Sequence, residues 1–311
     1  MAQRVDEVLA SGKAPYAHGL VVLRGGQVEI ERYAAGHDYA LNEPLGHVEF
    51  DRDTLHDLRS VSKSVVGLVY GIALREGLVP EPGEPLLRQF PEHEDLAADP
   101  RRASLTIEHA LTMTLGIEWK EDLPYTDPAN GEIAMELAPD RHRYVLERPI
   151  VEEAGLRWQY CGGATALIGE IITRGAGRPL DEYAAARLFE PLGISAHAWS
   201  RGDDGATRAA SGLRLRPIDL ALLGQTVLDG GRDVVPGPWL TEMLRHRAVT
   251  GSGSGYGYQW YLNPGTYEGV GNGGQRLVVV PEEELVVVVT AGEYDVSLAS
   301  SQAVLDAVFN R

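Results

Sequence analysis

The chain has 311 residues, 44% of them hydrophobic, which is enough to bury a sizeable core in one large domain or two lobes. A formal net charge of −17 repels phosphate backbones and anionic membrane surfaces, so neither nucleic acid nor membrane is expected as a partner. The single cysteine, Cys161, excludes an intramolecular disulfide, and no stretch approaches the roughly 18 apolar residues of a membrane span. The first residues lack the apolar run of a signal peptide, which makes a cytoplasmic location the default expectation.

Residues 3–10 have the spacing of a short amphipathic helix. Gly19–Arg24 and Val28–Tyr33 alternate about Gly25-Gly26, a hairpin signal. Helical spacing then dominates: Ser60–Glu76, Ile107–Met113, Thr165–Arg174, Leu180–Leu188 and Pro217–Asp229, with Gly77, Gly116, Gly175 and Gly230 near the expected ends. Strands rich in Val and Tyr return at Gly257–Leu262, Arg276–Pro281 and Leu285–Ala291, the last two joined by the polar turn 282–284, and residues 296–309 read as a closing helix. Strands from the two ends of the chain must pair to bury their apolar faces, so the helical middle is an insertion between them. The expected class is α/β in the α+β sense: an antiparallel sheet flanked by terminal helices, beside an all-helical lobe. One domain is expected over 1–311, with 1–59 and 205–311 forming the sheet lobe and 60–204 the helical lobe. A ligand site belongs in the cleft between them.

The Lys and Arg residues number 28, yet only Lys13, Lys63 and Lys120 are lysines. Lysine can lose its proton where arginine in practice cannot, so each of the three positions carries weight. Lys63 follows Ser60 by three residues at the head of a helix that is apolar on almost every side beyond Val65. That spacing puts both side chains on one face. The positive helix end and burial would both disfavour the ammonium form, leaving Lys63 free to take the Ser60 proton. The Ser60 N–H can hold part of a developing oxyanion. A capping serine beside a solvated lysine would look the same locally. Ser62 and Ser64 have no lysine three residues on.

Tyr160 precedes a glycine turn that opens an apolar helix, and from there its phenol can relay a proton. Cys161 lacks a nearby base and reads as a small buried hydrophobe. In Gly269-Val-Gly-Asn-Gly-Gly-Gln275 the glycines formally match a dinucleotide fingerprint, but a strand follows where that motif needs a helix. A glycine-rich strand start lets the backbone approach a ligand closely instead. Gly271 and Gly273 fall there, and a backbone N–H of this stretch can supply the second oxyanion donor. Trp119–Met135 reads as a surface loop that can close over a substrate through Tyr125. The histidines lack metal-ligand spacing, and no metal or cofactor is expected.

Taken together, Ser60-Val-Ser-Lys63, Leu105–Gly116, Leu188–Ile194, Gly212–Leu220 and Tyr256–Trp260 resemble the serine β-lactamase-like superfamily. That superfamily includes class C β-lactamases, penicillin-binding carboxypeptidases and related esterases and amidases. The chain is most similar to its 6-aminohexanoate-dimer hydrolase and esterase branch. The resemblance implies a β-lactamase/transpeptidase-like fold, Ser60 as acylated nucleophile, Lys63 as base and Tyr160 as proton relay. The family's Tyr-x-Asn is replaced by Tyr160-Cys161-Gly162, and Gly269 stands where Lys or His is usual, which puts the second oxyanion N–H on Asn272, or on Gln275 in an alternative register that starts the motif at Asn272. The implied activity is cleavage of small esters or amides. A β-lactamase or carboxypeptidase-type penicillin-binding protein is the alternative, and a non-catalytic binding protein on the same fold a third.

Overall fold

The computed structural model describes residues 1–294 and 298–310. Thirteen strands are described: β1 Ala17–Arg24, β2 Gln27–Tyr33, β3 Ala35–Ala40, β4 Glu43–Glu49, β5 His56–Asp57, β6 His197–Trp199, β7 Leu213–Leu215, β8 Ala248–Val249, β9 Gly255–Tyr256, β10 Tyr261–Asn263, β11 Thr266–Gly271, β12 Gln275–Val280 and β13 Leu285–Ala291. The α-helices are α1 Ala2–Ala10, α2 Val61–Arg75, α3 Pro100–Ala103, α4 Ile107–Leu111, α5 Gly131–Glu136, α6 Arg141–Leu146, α7 Gly162–Ala176, α8 Leu180–Ala184, α9 Pro217–Leu228, α10 Gly237–Met243 and α11 Ala299–Phe309. The main sheet has eight strands in the order β2-β1-β13-β12-β11-β10-β9-β8, and every pairing in it is antiparallel.

The order follows from the sequence. β1 carries Ala-His-Gly-Leu-Val-Val-Leu-Arg and β13 Leu-Val-Val-Val-Val-Thr-Ala, apolar on both faces, so neither can lie at a sheet edge. They pair with each other, which brings the two ends of the chain together. Alternate residues then feed two cores. Leu20, Val22, Val287 and Val289 face Val5, Val304 and Val308 of the terminal helices. Val21, Leu23, Val286 and Val288 face the other way, into the cluster that includes α2 and Leu220 and Leu223 of α9. Residues 61–73 of α2 are all buried, so the helix forms the centre of that cluster.

Two expectations need correction and a third is refined. The strand expected over Gly257–Leu262 is broken into β9 and β10, because buried Gln259 takes a left-handed backbone (φ 64°). Its side chain instead bridges Thr165 (2.6 Å) and the Leu111 carbonyl (3.0 Å), tying α7 to α4. Gly175 does not end its helix; the left-handed terminator is Gly177. The stretch Leu180–Leu188 is helical to its end but α only to Ala184, widening to a π-helix over Ala185–Phe189. A hairpin of β3 and β4 and a small β5-β7-β6 sheet were not expected. Residues 296 and 297 of the expected closing helix lie outside the described residues.

Candidate active site

Ser60 is the N-cap of α2, and its first turn is shaped by the residues before it. Arg59 adopts φ 47°, a conformation that costs a non-glycine residue about 1 kcal/mol. Asp57 offsets that cost: it accepts from the Arg59 N–H (3.1 Å) and pairs with the guanidinium (3.0 Å). The guanidinium also lies over the Tyr294 ring, 4.5 Å from its centre, and donates to the Leu41 carbonyl. The turn therefore presents Ser60 to the cleft from a fixed backbone. Ser62 and Ser64 are occupied elsewhere, donating to the Arg59 and Gln259 carbonyls (2.6 and 2.9 Å).

Lys63 is 2% exposed. Its ammonium donates to Ser60 Oγ (2.9 Å) and to the Ala210 carbonyl (2.8 Å), and Glu132 Oε2 lies 3.6 Å away. Tyr160 faces both, with its ring centre 4.9 Å from Nζ and its phenol close enough to Ser60 and Lys63 to feel each. Burial pushes the Tyr160 phenol up, against the pull of Lys63. The three residues named from sequence thus converge on one point. The expected charge state of Lys63 does not hold. Burial disfavours its ammonium, but Tyr160, Glu132 and Glu121 more than compensate and hold it above the ordinary lysine range. The sequence reading had the helix field and burial but not the acids.

Those acids come from the segment after Trp119. Residues 120–129 form the expected loop, exposed or half-buried throughout, but it is anchored at both ends by buried Trp119 and Asn130 and runs into α5, where Glu132 and Met135 are buried. Asn130 caps α5, accepting from the Glu132 N–H (2.9 Å), which aims Glu132 inward. Glu132 Oε1 accepts from Ser211 (2.7 Å). Glu121 accepts from Trp119 Nε1 (2.7 Å), the Gly162 N–H (2.6 Å) and the Tyr125 hydroxyl (2.9 Å). Tyr125 is also held through its carbonyl by Asn42 (2.9 Å), so it already stands in the cleft wall. A Cβ at Gly162 would lie 2.5 Å from Glu132 Oε2 and 3.2 Å from Glu121 Oε2. Glycine at this position, in place of the family's asparagine, is what lets the two carboxyls enter.

On the far side, β11 ends at Gly271, and Asn272 lines the cleft with Ser60. The Gln275 side chain is turned into the sheet, donating to the Ala291 carbonyl (2.6 Å). Gly273 has φ 83° and closes the turn into β12. A Cβ at Gly269 would meet Ser64 Oγ at 3.0 Å and Val61 at 3.2 Å, so α2 fills the space in which a lysine or histidine would begin. The cavity measures about 280 Å³. Its walls include apolar Leu41, Ile133 and Leu137, and acidic Glu43, Glu132, Glu136 and Asp203. The two guanidiniums on its walls are already paired: Arg59 with Asp57 and Arg208 with Glu136, each at 3.0 Å. Cys161 is buried and caps α7, and burial pushes its thiol up, away from thiolate chemistry. Among the described residues, no three His, Cys, Asp or Glu side chains are placed to share a metal ion.

An antiparallel sheet, a buried helix headed by Ser-x-x-Lys and a facing tyrosine define a hydrolase of the β-lactamase type of fold. The chain belongs to the Beta-lactamase family, whose profile matches residues 1–307. It is 28% identical over 318 residues to the 6-aminohexanoate-dimer hydrolase of Paenarthrobacter ureafaciens, covering 93% of this chain and 74% of that one. It is also 28% identical over 185 residues to Esterase EstB of Burkholderia gladioli, covering 56% and 44%. In fold it is similar to the structure of EstCE1, a hydrolase with promiscuous acyltransferase activity, with a TM-score of 0.77 at 17% identity over 99% of this chain and 98% of that one. The expected antiparallel α+β class and the hydrolase class are both borne out. Among the described residues, no helix is long and apolar enough to cross a membrane.

Proposed function

We propose that this enzyme cleaves small esters or amides through an acyl-enzyme on Ser60. The observation that carries this reading is the 2.9 Å contact between Lys63 Nζ and Ser60 Oγ, buried at the head of α2 with Ser60 lining the cleft. In this reading Lys63 takes the hydroxyl proton while Oγ attacks the carbonyl carbon. The N–H groups of Ser60 and Asn272 receive the oxyanion, and Tyr160 hands the proton to the leaving oxygen or nitrogen. Water repeats the sequence to release the acid. Gly271 and Gly273 position Asn272 rather than line the cleft: a Cβ on them would meet the Leu58 carbonyl at 2.5 Å and the Tyr294 ring at 2.4 Å. Labelling with a fluorophosphonate, read by intact mass, tests the assignment: one adduct per chain, lost in Ser60→Ala, is expected.

The cavity walls bear on substrate class. With no cation at position 269 and both guanidiniums engaged, a substrate carboxylate meets acids without a free counter-charge. Neutral short-chain esters, or amides whose charged end is distant and cationic, suit such walls. The relationship to a 6-aminohexanoate-dimer hydrolase and an esterase supports the same choice. We expect kcat/KM for a nitrophenyl butyrate to exceed that for nitrocefin by at least about tenfold, a difference of about 1.4 kcal/mol in transition-state stabilisation. The reverse order would return the protein to the β-lactamase or carboxypeptidase reading.

Tyr160→Phe isolates the relay. It keeps the ring over Lys63 and removes only the hydroxyl, so kcat should fall by roughly 10²–10⁴ with KM little changed. An effect confined to KM would make Tyr160 a wall of the pocket.

A further inference from the structure

Lys63 poses a problem for its own role. A base must meet Ser60 without its surplus proton, yet the groups around Lys63 favour the ammonium. Resting on the Ser60–Lys63 reading above, we propose that Glu121 and Glu132 act as one proton-sharing carboxyl pair that takes the surplus proton of Lys63 and frees its amine to act as base.

The geometry carries this. Glu132 is 5% exposed and its Oε2 has no hydrogen-bond donor, although it lies 3.6 Å from Lys63 Nζ. Its ion-pair partner is the Lys63 ammonium, so it is placed to receive a proton that leaves Nζ. Glu121 and Glu132 face the same point: a Cβ at Gly162 would lie 3.2 Å from Glu121 Oε2 and 2.5 Å from Glu132 Oε2, close enough for two carboxyls to compete for one proton. Both reach the site through the gap left by Gly162. Each is held by neutral donors: Trp119, Tyr125 and the Gly162 N–H on Glu121, and Ser211 on Glu132.

The proton count closes. With both carboxyls ionised and Lys63 an ammonium, one N–H bond breaks at Nζ and one O–H bond forms at Glu132 Oε2, its hydrogen shared with Glu121. Lys63, now an amine, takes the Ser60 proton as Oγ bonds to the carbonyl carbon. That same proton leaves through Tyr160 to the departing group, and the pair keeps its own throughout. A lone carboxylate is a poor acceptor from an ammonium, but two in one enclosed site cannot both stay ionised cheaply. Burial and the neighbouring Glu132 push Glu121 up to about 7. Facing the pair are the cations Lys63 and Arg59, which favour its ionised form. The phenols Tyr125, Tyr160, Tyr256 and Tyr261 stand against Glu121, and Glu136 lies farther along α5. The sign follows. Below neutrality the pair already holds its shared proton and Lys63 stays charged. Above it the site has lost one proton, and the pair can accept the one on Lys63. Activity therefore rises with pH through neutrality.

The test is the pH profile of kcat/KM for nitrophenyl butyrate in wild type, Glu121→Gln and Glu121→Asp, with Ser60→Ala subtracted as background. Glutamine imitates the protonated acid permanently and cannot exchange. We expect the Glu121→Gln limb to move to higher pH, with at least about tenfold lower kcat/KM at neutral pH and recovery at alkaline pH. Glu121→Asp should keep its limb near that of wild type. Coincident wild-type and Glu121→Gln limbs overturn the proposal. So does a Glu121→Gln protein that melts like wild type but is inactive at every pH, since that is a structural effect. Wild-type turnover that does not depend on Ser60 would instead remove the Ser60–Lys63 reading itself.

Discussion

Ser60→Ala is expected to lower ester turnover by at least about 10⁴-fold while leaving the thermal transition close to that of wild type. The two halves of that result have separate causes. Turnover is lost because the neighbouring hydroxyls cannot substitute: Ser62 and Ser64 already donate to the Arg59 and Gln259 carbonyls. The fold survives because α2 draws its stability from thirteen consecutive buried residues, Val61–Ala73, rather than from its cap. Ser60 makes no side-chain cap bond, so the usual cost of about 1 kcal/mol for losing a capping serine does not apply. Purified Ser60→Ala that keeps more than a few per cent of wild-type turnover would show that the nucleophile is elsewhere. Intact-mass labelling of the same protein would then locate it.

How much of this was legible beforehand depends on where the information lies. The paired strands β1 and β13 and the buried helix α2 announce themselves, because continuous valine and leucine can only be interior. The hairpin of β3 and β4 does not. Its thirteen residues bury only Asp38, so neither strand has an apolar face to produce an alternation. Helices α5 and α6 have six residues each, too few for a helical period, and their only local signals are the caps Asn130 and Asp140. In the site, Ser60, Lys63 and Tyr160 were readable because their chemistry is bound to local spacing. Glu121 and Glu132 were not, because acids between Trp119 and Glu136 look like a solvated stretch until bonds from Trp119, the Gly162 N–H and Ser211 turn these two toward the site. The charge of Lys63 failed for the same reason. Helix position is a local property, whereas the company a lysine keeps is a tertiary one.

Lys63→Arg separates charge from basicity and should be nearly as damaging to kcat as Lys63→Ala, each falling by about 10²–10⁴. Arginine can keep a positive charge beside Glu132, but it cannot give up a proton at any accessible pH, so the Ser60 hydroxyl has no acceptor. Stability divides the two variants differently. Lys63→Ala strips the counter-ion from a 5%-exposed Glu132 and opens a gap beneath Ser60 and the Ala210 carbonyl. It should lose on the order of 1–3 kcal/mol and melt lower. Lys63→Arg retains the ion pair but must fit a larger head among Ser60, Glu132 and Tyr160, so its loss is steric and smaller in its electrostatic part. The informative outcome is thus two variants equally inactive but unequally stable. If Lys63→Arg kept substantial kcat, Lys63 would be an electrostatic anchor for Ser60 rather than its base. The proton would then have to leave through Tyr160, whose phenol also stands beside the nucleophile.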